Sequence, residues 1–271
     1  MRLASVIRIE GPAPKEQESY VLLATSGQGF DPSSHMTGAK HTPALDHMIL
    51  TLMRHPPIET NGGRCIGQTN VELSPEGRAA LIPLAEEASR LRPDKILCSD
   101  LQRCQVLAEA IALRLGLSPV SDPVWREISF GTWESRTWSD IQAKEPDRLS
   151  EWMADFETIA PPAGETFADL QARVLRGIES KLVGAKDDGA VAPATRSGAK
   201  TGPLSTTHYL IVTHAGVIRA AMSAFCGLPL RRAFELSVPY GSCTTFCRRG
   251  SRWSPMDLMA GGRSLSRGSA R

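Results

Sequence analysis

The chain has 271 residues and sets 31 Lys and Arg against 29 Asp and Glu, a formal charge of +2. That balance argues against a dedicated nucleic-acid binder, whose domain would be clearly basic. No apolar stretch approaches the ~20 residues a membrane-spanning helix needs, and no signal-peptide h-region opens the chain, so the cytoplasm is the expected location.

The length suits one large α/β domain with decorations, or two small ones. Residues 1–46 hold two short apolar pieces, Val6 to Ile9 and Tyr20 to Ala24, among Gly, Pro, Ser and Thr. They read as an extension with a possible edge strand, followed by a linker over 25–46. The first strong signal is Ile49-Leu50-Thr51-Leu52-Met53, an apolar run that ends in Arg54-His55-Pro56. This pattern predicts a buried parallel strand whose C-terminal end delivers Arg54 and His55 to the sheet edge where α/β folds bind ligands. A turn-rich loop with Asn61, Gly62, Gly63 and Gly67 comes next, and Ser74-Pro75-Glu76 opens a helix with Ser74 as N-cap and a kink expected at Pro83.

Lys95 to Cys98 is a second strand, and Ser99-Asp100 leads into a helix that carries Arg103 in its first turn and stops at Gly116. The aromatic stretch Trp125 to Glu134 has no periodicity and reads as a loop. Its Trp125, Phe130 and Trp133, with the later Trp138, fit a core better than a ligand platform. Thr166 and Asp169 form a capping box for a helix running to Leu182. Residues 184–207 are too small and polar to pack and read as a flexible insertion. Tyr209 to Thr213 is a third strand, ending in His214-Ala215-Gly216 before an apolar helix. Residues 248–271 read as a basic tail with Trp253 as its one large anchor.

Six cysteines lack a Cys-x-x-Cys pair, so neither a zinc knuckle nor a thioredoxin-type site is expected. Cys226 and Arg232 have the spacing of a cysteine-phosphatase loop, but Pro229 removes one of the N–H donors that loop needs, and no strand precedes Cys226.

Three strand ends therefore converge two arginines, two histidines and a helix N-terminus. A phosphate monoester carries roughly −1.5 to −2 charges at neutral pH, and two guanidinium forks can neutralise it and hold its transition state. A neutral imidazole with one nitrogen held as a donor offers the other as nucleophile. The leaving alkoxide needs an acid, and Glu127 in the aromatic loop is the candidate, with apolar neighbours expected around it.

On these residues the sequence resembles the histidine phosphatase, or phosphoglycerate mutase-like, superfamily over about 47–246. Arg54-His55 matches the Arg-His-Gly signature, Ser99 to Arg103 the Ser-x-Leu-x-Arg element, and Thr213 to Gly216 the second histidine motif. The resemblance implies a three-layer α/β/α sandwich with a mostly parallel sheet and a catalytic domain at 47–247. It implies chemistry without metal or other cofactor on a small-molecule phosphate monoester; from charge and hydropathy, neither nucleic acid nor membrane is expected as a partner. Carried across, His55 is the nucleophile, Arg54, Arg103 and His214 bind the phosphoryl group, Asn61 lies where a phosphate-pocket asparagine is often found, and Glu127 is the proton donor. Pro56 replaces the usual glycine.

Within the superfamily, Arg54 to Pro57, Gly63 to Thr69 and the Phe130 to Glu134 loop are similar to α-ribazole phosphatases of cobalamin synthesis, and Trp133 would stack on the flat base. The alternatives are a sugar-phosphate phosphatase or mutase of the same superfamily and, from another class, a non-catalytic phosphoryl-binding protein.

Overall fold

A computed structural model describes residues 47–60, 63–183 and 206–256. The expectations for 1–46, for Asn61, for most of the 184–207 insertion and for the end of the tail lie outside these residues. The strands are β1 (His47–Arg54), β2 (Lys95–Cys98), β3 (Val120–Ser121), β4 (Thr206–Thr213), β5 (Cys243–Arg249) and β6 (Arg252–Met256). The helices are α1 (Pro75–Arg90), α2 (Gln102–Leu115), α3 (Trp138–Lys144), α4 (Pro146–Ala154), α5 (Phe167–Ile178) and α6 (Ala215–Cys226).

The sheet order is β3-β2-β4-β1-β5-β6. Strands β1 to β4 are parallel to one another, whereas β5 runs antiparallel to β1, and β6 to β5. This is the mostly parallel α/β architecture expected. Central strands covered on both sides read as unbroken apolar runs, and Tyr209 to Val212 of β4 are all buried. On one face Met53, Ile96, Cys98, Leu210 and Val212 pack with Ala85 and Ala88 of α1 and Leu107 and Ile111 of α2. Helices α5 and α6 pair with each other, and α6 lies against β1.

Local signals set the helix ends. The Ser74 hydroxyl accepts from the Gly77 N–H at 3.1 Å, and the helix runs on through Pro83. Thr166 and Asp169 form their reciprocal capping box. Gly116 closes α2 with φ +66°, a left-handed conformation that glycine adopts without a Cβ penalty. Among the described residues no helix is long and apolar enough to cross a membrane.

The boundary expected after 247 falls inside the last hairpin. Strand β6 continues the sheet to Met256, and Trp253 stacks on Phe225 of α6 with ring centroids 4.9 Å apart. Three arginines at 248, 249 and 252 hide the strand pattern that Trp253 anchors.

Candidate active site

The register of β1 on β4 decides what meets at the sheet edge. Arg54 pairs with Thr213, so His55 and His214, each one residue further on, emerge side by side. The His55 N–H donates to the Thr213 carbonyl at 3.0 Å, and the two imidazole centroids stand 5.1 Å apart. Strand β2 pairs Cys98 with Val212, which carries Ser99 and the start of α2 to the same edge. There the Asn70 side chain caps the Gln102 N–H at 3.0 Å, and the next residue is Arg103.

All four expected side chains are buried, His214 completely. Arg103 donates from Nε to His214 Nδ1 at 3.3 Å, from one terminal nitrogen to the Thr69 carbonyl at 2.8 Å and from the other to the Gly67 carbonyl at 2.6 Å. Arg54 donates to the Val238 carbonyl at 2.6 Å and lies over the Tyr240 ring, 3.7 Å from its centroid. The Gly67 and Thr69 carbonyls orient the Arg103 guanidinium without neutralising it, which suits that side chain to phosphate.

These contacts assign the proton positions. An arginine Nε always carries its proton, so His214 Nδ1 accepts and His214 Nε2 is the N–H, 3.4 Å from the Cys104 sulfur. His55 Nδ1 lies 2.7 Å from the Pro56 carbonyl, which can only accept, so Nδ1 is the donor and Nε2 keeps its lone pair. Burial holds the His55 pKa well below its ordinary value, and Arg103 and Arg54 lower it further; the Pro56 hydrogen bond opposes them. Burial likewise lowers that of His214, reinforced by Arg103, His55 and Arg54. Both rings are neutral at pH 7, and Pro56, the departure from the usual glycine, supplies the carbonyl that orients the first.

Glu127 stands at the N-terminus of α6. Its Oε2 accepts from the Gly216 N–H at 3.1 Å and its Oε1 from the Ile128 N–H at 2.9 Å. A Cβ on residue 216 would lie 2.1 Å from Glu127 Oε1, so this approach requires glycine there. The apolar setting expected for Glu127 is thus replaced by main-chain donors. Its charge lies within electrostatic reach of Arg103.

Trp133 does not reach the site, which corrects the stacking role expected of it. It is fully buried, its indole N–H donates to Glu145 Oε2 at 3.0 Å, and its ring meets Trp152 edge-to-face at 5.8 Å. Trp133, Trp138, Trp152 and Phe130 form a satellite core under the loop. The ring that does flank the site is Tyr240, 5.5 Å from His55. Sequence reasoning misses it because β5 is antiparallel to β1, which returns residues 239–242 to the histidine edge; the Pro-Tyr-Gly-Ser turn just before that strand is the signal in the sequence. Cys226 ends a helix and Arg232 is exposed and paired with Glu235, so no cysteine-phosphatase loop forms.

Residues 50–259 match the model of the histidine phosphatase superfamily, branch 1. The chain belongs to that superfamily. It is 32% identical over 183 residues to a glucosyl-3-phosphoglycerate phosphatase of Mycolicibacterium vanbaalenii, covering 67% of this chain and 75% of that one. It is 25% identical over 215 residues to the adenosylcobalamin/α-ribazole phosphatase of Salmonella typhimurium, covering 79% and 92%. A solved mycobacterial glucosyl-3-phosphoglycerate phosphatase, in complex with VO3, superposes with a TM-score of 0.63 at 28% identity over 77% of this chain and 96% of the other. The protein is accordingly a histidine phosphatase superfamily enzyme, a phosphatase.

Proposed function

We propose that this phosphatase hydrolyses small phosphate monoesters through a phosphohistidine on His55. The observation that carries the reading is the His55 imidazole: neutral, with Nδ1–H fixed on the Pro56 carbonyl, and set beside two arginines and the His214 ring. In the first step Nε2 forms a bond to phosphorus as the ester P–O bond breaks. Arg54, Arg103 and His214 hold the phosphoryl oxygens, and a proton passes from Glu127 to the leaving oxygen. In the second step water attacks phosphorus, Glu127 takes the water proton, and the N–P bond breaks to restore neutral His55 and release phosphate.

Two substrate types are named by the relatives. The relative at 32% identity is named for a glycosylated phosphoglycerate, and burial of Trp133 withdraws the stacking role expected of it on the flat base of α-ribazole 5′-phosphate. We therefore place sugar and glycerate phosphates first and α-ribazole 5′-phosphate, with its place in cobalamin synthesis, second.

The test is phosphate release in excess EDTA from glucosyl-3-phosphoglycerate, α-ribazole 5′-phosphate and a panel of sugar, nucleotide and glycerate phosphates, for wild type and His55→Ala. Release that falls at least about 10⁴-fold in a folded His55→Ala supports the mechanism. An isomerised ester in place of free phosphate would make it a mutase, and saturable binding without release would make it a phosphoryl-binding protein.

A further inference from the structure

The half-buried Glu134 carboxylate has no part in the phosphoryl chemistry on His55, yet it collects five hydrogen bonds. Oε2 accepts from the Gly67 and Thr69 N–H groups, both at 3.1 Å, and from the Thr69 hydroxyl at 2.6 Å. Oε1 accepts from the Gln68 N–H at 2.8 Å and the Phe130 N–H at 3.1 Å. Three consecutive main-chain donors thus point at one side chain 65 to 67 positions away. Their carbonyls turn the other way, and two of them, Gly67 and Thr69, are those that hold the terminal nitrogens of Arg103. The same loop reaches the acid loop, since the Gln68 side-chain amide donates to the Glu127 carbonyl at 3.1 Å. A Cβ at residue 67 would lie 2.3 Å from Glu134 Oε1, so the wrap around the carboxylate requires glycine.

We infer that Glu134 is a positioning residue for Arg103: it folds residues 67–69 around its carboxylate and so aims the Gly67 and Thr69 carbonyls that orient the guanidinium. This rests on the reading of Arg103 as a phosphoryl ligand. Burial works to raise the Glu134 pKa, but the bonds from Thr69, Gln68, Phe130 and Gly67 outweigh it and leave the group below its ordinary value, as an obligate acceptor should be. Glutamine cannot take its place. Whichever oxygen became an amide would set N–H against at least two N–H donors, and the loop would have to turn.

The test uses Glu134→Gln, with Glu134→Asp as the second variant should the first not fold, alone and combined with Arg103→Ala. The first readout is the Arg103 Nε–H resonance in ¹⁵N-arginine-labelled protein, expected to shift or broaden while resonances of distant arginines stay in place. The second is inhibition by inorganic phosphate, expected to weaken about 10- to 100-fold in the single variant. In the Arg103→Ala background it should change less than about twofold, because the two act as one unit.

An unmoved Arg103 resonance in the folded variant overturns the positioning role, and so does an undiminished Glu134 effect in the Arg103→Ala background. Should Arg103→Ala itself leave phosphate inhibition unchanged, Arg103 is not the phosphoryl ligand, while the resonance still decides whether Glu134 positions it.

Discussion

Strand β4 brackets two histidines that differ in their surroundings far more than in their burial. His208, near its start, is buried, and burial lowers its pKa. Its neighbours are neutral or acidic: Nε2 meets the Thr51 hydroxyl at 2.8 Å, Thr51 meets Thr245 at 2.9 Å, and the His208 main-chain N–H donates to the Asp94 carboxylate at 2.8 Å. His214, just past the end of β4, is also buried with a lowered pKa, but it is faced by Arg103, His55 and Arg54. Burial alone makes a satisfied core histidine. Cations packed against a buried imidazole keep it neutral and favour an anion entering beside it, so the sign of the neighbours separates a binding site from a structural polar chain.

The largest expected effect comes from removing each imidazole. His214→Ala should lower kcat/KM by about 10²–10⁴-fold and also cost about 1–3 kcal/mol of stability, since it strands the buried Arg103 Nε–H. His208→Ala should leave kcat within about twofold and cost about 1–3 kcal/mol of stability, because it strands polar partners in the sheet. A His208→Ala enzyme with tenfold lower kcat, or a His214→Ala enzyme of ordinary activity, would break the comparison.

A pH series sharpens it. The folded-state pKa values of His55, His208 and His214 all lie below the unfolded value of about 6.5, so the unfolded chain binds more protons and stability falls as pH drops below ~6.5 through the folded values. His208→Ala should flatten part of that slope. The activity limb should respond differently. Protonation of His55 abolishes its lone pair, so kcat/KM should fall on the acid side of pH 6.5 in wild type and His208→Ala alike. A limb centred above pH 6.5 would contradict the lowered His55 pKa.

How much of this is legible in the sequence depends on range. Arg54-His55 and His214-Ala-Gly each terminate an unbroken apolar run, and a parallel pair of such runs has to present both termini at one edge. The capping signals at Ser74, Thr166 and Gly116 are local, and each sits where its residue pattern places it. The hidden features depend on pairing across long separations. Tyr240 reaches His55 only because β5 returns antiparallel to β1, and Glu134 matters only because the 67–69 loop wraps it. No periodicity encodes either contact. The alternation of β6 is masked by arginines at the hairpin, where an edge strand gains from charge.

Trp133 carries the smallest effect and the clearest contrast with Tyr240. The sequence places an indole in the loop beside the candidate acid, a position that fits a core better than a platform but allows both. The structure turns that indole inward onto Trp152 and ties its N–H to Glu145, a carboxylate already bonded by Arg136. Trp133→Phe should therefore cost about 1–2 kcal/mol, from one lost hydrogen bond and a smaller ring. The substrate ranking in the phosphate-release panel should stay as in wild type, because the residue is walled off from His55 by its own packing. A changed ranking at unchanged thermal stability would mean that the ring reaches substrate, and would restore α-ribazole 5′-phosphate to the front of the panel.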